Sequence, residues 1–302
     1  MSTDPLLQPY KLKHLTLRNR IMTTSHEPAY PENGMPKERY TAYHAERARA
    51  GVALTMTAGS AAVSRDSPPV FNNILAYKDE VVPWIRRLTD ECHEYGCAVM
   101  IQLTHLGRRT TWNKGAWLPS ISSSKHREPA HRAFPKLAED WDIERVISDF
   151  ADATERMKAG GMDGVELQVY GHLLDQFWSP LTNNLDGPYG GKSLDSRMLL
   201  LMDVLRGIRK RVGSNFLVGL RYTADEIEAA VAKFAATKLT RIKIALNMNT
   251  SNIFISLPKS ELLLNYTIKR AEKITLSPCF YWRTREDSNL WPLPSEGSAL
   301  SS

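Results

Sequence analysis

The side chains able to do chemistry recur at one kind of place, at or just beyond the ends of short apolar runs. Thr24, Ser25 and His26 close the run that starts at Ile21, and Ala58 with Gly59 follows Val52–Thr57. Gln102 and His105 stand at the end of Ala98–Leu103, Tyr170 and His172 follow Val165–Val169, and Arg221 follows Phe216–Leu220. Tyr170 and His172, one glycine apart, form a pair that can polarise a carbonyl or hold an amine as a base would. A local Arg suits a nucleotide-like cofactor carrying a phosphate better than a nucleic acid. Plainer readings stand beside these. Gln102 can simply cap a strand, Arg221 can pair at the surface, His172 can be satisfied in the core, Thr24 can serve a turn, and Ala58 can be packing alone. His105 and Arg108 are further candidates for contact with substrate or cofactor, while His126 and His131 read as solvated. His105, Glu166 and His172 contain no short-spaced ligand pair, so no metal site is expected.

Elements of two kinds must position these residues. Helices are expected over Pro36–Ala50, Glu80–Tyr95, Glu139–Ala159 and Arg197–Val212, each followed by a glycine that can end it. The third is expected to open on Asp140 or Asp142. Short apolar strands precede each helix, and a fifth, Phe216–Leu220, follows the last. Buried strands alternating with long helices imply a parallel sheet covered by helices. A doubly wound sheet and a closed barrel share that alternation. The first turn lacks the Gly-x-Gly-x-x-Gly pattern of a dinucleotide fold. Polar residues gathered at every strand end favour the barrel, where those ends share one face. The long Ser/Pro/His-rich connection between His105 and Glu139 reads as an excursion over that mouth.

The 302 residues carry a net charge of +6, are 42% hydrophobic and 24% charged. These are ordinary globular values. The basic residues form short, separated clusters, so neither a nucleic acid nor a membrane is an expected partner; a homo-oligomer is left open. The three cysteines, Cys92, Cys97 and Cys279, contain no CxxC. No zinc knuckle or iron–sulfur cluster is therefore expected, and Cys92 and Cys97 read as buried free thiols in a reducing, cytoplasmic setting. Met1 to Gln8 lacks the basic start and apolar run of a signal peptide.

Several motifs, taken together and in order over residues 6–225, resemble a known family. Leu15-Thr16-Leu17-Arg18-Asn19-Arg20-Ile21 is similar to the opening of the Old Yellow Enzyme family, the NADH:flavin oxidoreductases. Gln102-Leu103-Thr104-His105-Leu106-Gly107-Arg108 resembles its third-strand motif. Asp163-Gly164-Val165-Glu166, Leu174 to Pro180, and Tyr189-Gly190-Gly191 follow its fourth-strand order, and Gly219-Leu220-Arg221 resembles its fifth strand. Tyr170-Gly171-His172 with the following Leu-Leu-Asp-Gln-Phe-Trp looks closest to the branch of trimethylamine dehydrogenase and the N-methylproline (stachydrine-type) demethylases.

The resemblance implies a (β/α)8 barrel holding FMN, with strands one to five recognisable here and six to eight not. It implies that Thr24, Ser25, His26 and Ala58 line the flavin, that Gln102 meets its pyrimidine edge, and that Arg221 stabilises the reduced anionic ring. Tyr170 and His172 would then face the substrate. Relatives with a covalent flavin carry a Cys where Glu27 stands, so FMN is expected to be non-covalent. Reductases of the family carry His-x-x-His or His-x-x-Asn where this chain has Gln168 and is one residue shorter, which argues against enone reduction. Leu185 and Gly187 replace a usual Arg and a usual acidic residue, and Lys192 looks inserted.

Beyond Glu226 the resemblance stops. Residues 226–302 hold a single glycine, Gly297, and no Gly-rich phosphate clasp. The expected organisation is a barrel part over 1–225, a divergent segment over 226–281 and a disordered tail over 282–302, arising from an interrupted reading frame or from divergence. Glu226–Thr237 reads as a helix, and Arg241–Ala245 and Ile253–Leu257 as strands. The fifth strand would then present an open edge. The expected function is FMN-dependent hydride transfer that demethylates a small N-methylated amine or amino acid. The alternatives are NAD(P)H-driven reduction of activated alkenes and an inactive truncated fragment.

Overall fold

The computed structural model describes residues 4–67, 72–110, 118–127 and 134–222, together with the backbone of Ile253–Ser256. In chain order the elements are β1 (Tyr10–Leu12), β2 (Leu15–Leu17), β3 (Met22–Thr23), α1 (Glu38–Arg49), β4 (Leu54–Ala62) and α2 (Val81–His93). Then come β5 (Ala98–Thr104), β6 (Ile121–Ser122), β7 (Lys136–Leu137), α3 (Asp140–Ala159) and β8 (Gly164–Val169). The last are α4 (Leu173–Trp178), α5 (Leu194–Val212), β9 (Leu217–Tyr222) and β10 (Ile253–Ser256).

The main sheet runs β10-β9-β8-β5-β4-β3, and every pair in it is parallel. The spatial order follows the chain without reversal. A doubly wound sheet must reverse at a switch point, so that alternative is excluded. The sheet is also curled. From β3 to β9 are four strand spacings, roughly 19 Å if flat. Yet Ser25, just beyond β3, and Arg221 on β9 are in hydrogen-bond contact at 2.5 Å. The architecture is an incomplete (β/α) barrel, as expected from the alternation.

Strand periodicity divides the side chains into two layers. Val99, Ile101 and Leu103 of β5, Val165, Leu167 and Val169 of β8, and Val218 and Leu220 of β9 join the large core shared with the helices. α3 meets that core with Ile143, Val146, Phe150, Ala153 and Met157, a helical spacing of three and four. The alternate strand residues face the other way. Their lower set, Leu54, Met56, Met100 and Leu217, forms a second cluster closed from below by Leu17, Leu15 and Tyr10 of the β1–β2 hairpin. Their upper set is polar and makes the site.

Several boundaries differ from expectation for local reasons. α3 is opened by Glu139, not by an aspartate as N-cap: Glu139 and Asp142 form a reciprocal capping box, with the Glu139 N–H on Asp142 Oδ2 at 2.9 Å. α5 starts at Leu194, three residues before Arg197, because Ser193 Oγ accepts the Ser196 N–H at 3.1 Å. β4 continues to Ala62 through an irregularity between Thr57 and Ala61, where Ala58 takes φ +54. The Ala58 N–H there donates to Tyr40 Oη of α1 at 2.7 Å, which holds the bulge. The excursion after β5 is pinned by β6 pairing with β7 and by Ser123 Oγ accepted on the Gln176 carbonyl.

The helix expected at Glu226–Thr237, the strand at Arg241–Ala245 and the tail over 282–302 lie outside the described residues. The strand expected at Ile253–Leu257 is present as β10, parallel to β9 with Ile253 opposite Val218. The edge of β9 is therefore paired rather than open. Among the described residues, no helix is long and apolar enough to cross a membrane.

Candidate cofactor and substrate site

The upper interior is built by register. Gln102 of β5 lies opposite Glu166 of β8, Glu166 opposite Gly219 of β9, and Gln168 opposite Arg221. Polar side chains from adjacent strands thus point to one space, and Gly219 leaves room among them. Gln102 Nε2 donates to Glu166 Oε1 at 2.6 Å and to Ser25 Oγ at 2.9 Å. Arg221 Nη1 donates to the same Ser25 oxygen at 2.5 Å, and Ser25 Oγ has a longer contact, 3.5 Å, with Glu166 Oε1. One hydroxyl offers two acceptor lone pairs and one proton, and this arrangement uses all three.

The electrostatics follow from burial. Gln102 is fully buried and Glu166 nearly so. Burial raises the Glu166 carboxyl above its usual range, while the Arg221 charge and the bonds from Gln102 and Ser25 pull it back. Gln102 Oε1 is buried and has no hydrogen-bond partner. An unmatched buried carbonyl oxygen costs roughly 1–3 kcal/mol, so the interior is set up to receive a donor.

Tyr170 and His172 rise from the end of β8 beside this group. The Arg221 guanidinium lies 5.7 Å from the Tyr170 ring centre, and the Tyr170 and His172 rings are near-parallel (16°) at 6.3 Å. His172 Nδ1 shares a hydrogen bond with Thr104 Oγ1 at 2.7 Å, which fixes the imidazole. Gly171 between them has φ +66, and its N–H donates to Asp175 Oδ2 at 2.9 Å. A Cβ at Gly171 would run into Arg109.

The remaining expected residues divide. Ser25 is central. Thr24 is half-buried and His26 exposed at the same strand tip. Ala58 lies in the helix-side core with Tyr40 rather than among the polar interior group. His105 turns away: its Nε2 meets Asp66 Oδ1 at 2.8 Å while Nδ1 accepts the Gly107 N–H at 3.1 Å. Both ring nitrogens serve the loop, so His105 is a structural histidine. Burial would raise the Asp66 carboxyl, but His105, Arg145 and Ser64 together hold it far below its usual range. Arg108 reaches the His126 carbonyl at 3.4 Å on the exposed side; His126 is exposed, and His131 lies outside the described residues. Glu166, Gln168 and Ser60, whose Oγ donates to Gln168 Oε1 at 3.0 Å, were not expected. The signal for Glu166 and Gln168 was the two-residue alternation of β8 opposite Gln102 and Arg221.

The sequence pattern of the NADH:flavin oxidoreductase / NADH oxidase family matches residues 5–265. The chain belongs to this family. The match reaches past Glu226, where the motif resemblance stops. Among curated relatives, a probable N-methylproline demethylase of Rhizobium meliloti (strain 1021) is 74% identical over 226 residues, 75% of this chain and 33% of the relative. A multifunctional alkene reductase/demethylase of Caballeronia cordobensis is 47% identical over 74% of this chain and 33% of its own. An N,N-dimethylglycine/sarcosine dehydrogenase of Chromohalobacter salexigens is 42% identical over 75% of this chain and 33% of its own. The chain spans about a third of the length of these relatives.

A flavin is the group that NADH:flavin oxidoreductases carry, and the interior fits its pyrimidine edge. That edge presents one N–H donor flanked by carbonyl acceptors. Gln102 Oε1 is an unmatched buried acceptor, and Arg221 brings a positive charge into the same interior, a donor set compatible with such an edge.

Proposed function

We propose that this chain supplies the flavin-holding strands of an FMN-dependent oxidoreductase that removes an N-methyl group from a small amine or amino acid. The observation that carries the reading is the convergence of Gln102, Arg221, Ser25 and Glu166 inside the barrel, directly beside Tyr170 and His172. The 74% identical relative described as a probable N-methylproline demethylase supports the choice of substrate class.

Bound without a covalent link, FMN would supply the hydride acceptor for the substrate carbon. The protein's part is orientation and charge. Gln102 Oε1 would accept the flavin's pyrimidine N–H, and Arg221 would hold positive charge against the electron-rich side of the ring. Ser25 keeps Arg221 and Gln102 from swinging. Thr24 and His26 border the ring at the first strand tip, while Ala58, turned into the helix-side core, shapes the second tip only through the backbone of the bulge. Tyr170 and His172 hold the substrate nitrogen so that the N-methyl carbon faces the acceptor, and Thr104 positions the imidazole. Residues 1–225 form the recognised barrel part; 226–281, which adds β10 to its sheet, is a divergent segment and 282–302 a tail. The buried free thiols Cys92 and Cys97 suit a reducing, cytoplasmic setting.

A second reading is NAD(P)H-driven reduction of activated alkenes, favoured by the 47% identical relative described as both alkene reductase and demethylase. Anaerobic titration of the FMN-loaded protein separates the two. Bleaching of the flavin bands by N-methylproline supports demethylation. Bleaching by NADPH alone, with the colour restored by an enone, supports the reductase. A colourless protein that takes up no FMN in excess supports the inactive-fragment reading and ends both.

A further inference from the structure

We propose that Glu27 is the counter-ion and proton acceptor for the ammonium group of the substrate. The inference rests on the demethylase reading. An N-methylated amine enters at neutral pH as a cation. It needs a carboxylate to meet it, and its nitrogen must shed a proton before its lone pair can assist loss of hydride from the N-methyl carbon.

The carboxylates near the strand tips are not equivalent. Glu166 is engaged by Gln102, Ser25 and the Arg221 charge. Asp66 is held by Arg145, His105 and Ser64. Asp175 accepts the Gly171 N–H. Glu27 differs in kind. Its carboxylate accepts the Ala29 N–H at 3.1 Å and Asn73 Nδ2 at 3.3 Å, both neutral donors. Among the described residues, no lysine or arginine forms an ion pair with it. A half-buried carboxylate lacking a cation is a place where an incoming cation is favoured.

Its position is at the mouth. Glu27 lies two residues beyond Ser25, which binds Arg221 and Gln102. Its backbone rests on Gly59 of the β4 bulge so closely that a Cβ there would meet Glu27 N at 2.7 Å. The next residue, Ser60, holds Gln168, two positions before Tyr170. Glu27 lies beyond the end of β3 and Tyr170 and His172 beyond the end of β8, so all three stand at the same end of the parallel sheet.

Burial pushes the Glu27 carboxyl up to about 7, against the pull of the Ala29 and Asn73 donors. A base titrating there can both hold charge and take a proton at neutral pH. The titratable group facing it from another element is Tyr40 of α1, whose own buried phenol stays protonated, and His26 is its neighbour in the chain. The bulge and the Asn73 segment contribute no charge against it. In the proposed step, the substrate N–H bond breaks, its proton bonds to a Glu27 oxygen, and the electron pair stays on nitrogen.

The test is calorimetric binding to the FMN-loaded full chain across the neutral range, for wild type, Glu27→Gln and Glu27→Asp. The ligands are N-methylproline, its quaternary N,N-dimethyl analogue and a neutral enone. Flavin content and circular dichroism confirm that each variant is folded. Wild type is expected to bind N-methylproline more weakly as Glu27 protonates below about 7. Glu27→Gln should weaken it by about tenfold to a hundredfold and flatten that pH dependence, with Glu27→Asp intermediate. The quaternary analogue, which has no N–H, should bind wild type with the same pH dependence yet leave the flavin oxidised. Equal affinity and an equal pH profile in wild type and Glu27→Gln overturn the role of Glu27 while leaving demethylation standing. Binding of the enone but of neither amine overturns both.

Discussion

Ser25 and Arg221 meet at 2.5 Å although they stand at opposite ends of the curled five-strand run, one just beyond β3 and the other on β9. The same serine oxygen takes the Gln102 amide. One hydroxyl thus ties the first, third and fifth barrel strands together at the level where a flavin edge would lie.

Removing the two groups assigned to the pyrimidine edge should act on cofactor affinity. Arg221→Met and Gln102→Leu are each expected to weaken FMN binding by about tenfold to a hundredfold, the range of one charge-assisted or buried hydrogen bond. Quenching of free FMN fluorescence measures it. Unchanged affinity in both variants would remove these residues from the cofactor site.

His172→Asn should lower the rate of anaerobic flavin reduction by about a hundredfold or more while FMN affinity stays unchanged. Thr104→Val, which releases the imidazole, should give a smaller loss and shift the pH profile of the rate. An unaltered profile would make Thr104 a packing residue only.

Asp66→Asn should cost about 3–5 kcal/mol of stability, because Arg145 and His105 would face a neutral amide in a buried place. Urea denaturation reads it. A loss near zero would mean that Asp142 and Asp149 already neutralise Arg145.

Burial lowers the His44 imidazole to about 3 from 6.5. The folded state thus binds its proton less readily than the unfolded chain. The stability this provides is complete above 6.5 and declines as pH falls toward 3, by at most about 1.4 kcal/mol per pH unit. His44→Asn should lose that acid sensitivity in denaturation curves; an unchanged slope would locate it elsewhere.

Burial drives the Cys92 and Cys97 thiols up to about 12 and about 11. Both should resist iodoacetamide in the native protein and react once it is denatured, as mass spectrometry can follow. Rapid native labelling of Cys92 would show that α2 opens locally, and of Cys97 that the turn before β5 does.

The barrel class was legible because its strands are continuous apolar runs with polar residues at one end, a pattern set by burial on both faces. Ser25, Gln102 and Arg221 stood out for the same reason. Glu166 and Gln168 did not, since within a short apolar strand their inward facing depends on register with Gln102 and Arg221. His105 attracted attention as a strand-end histidine, yet its partner Asp66 lies in a loop after a different strand, a pairing that spacing along the chain does not encode. The bulge at Ala58 was hidden likewise, because its stabilising contact comes from Tyr40 across the helix layer. Helix starts shifted where capping by Glu139 and Ser193 outweighed the apolar period.

The floor of the barrel sets an order of events in synthesis. Leu17 and its hairpin neighbours join one cluster with Leu217, which the ribosome delivers only after four strand–helix units have been made. The earliest segment of the nascent chain must therefore wait, unsealed, for β9. Shortening or tagging the hairpin should tell at the far end of the chain, as late-stage misfolding and a poor soluble yield, before it tells anywhere near the first strand.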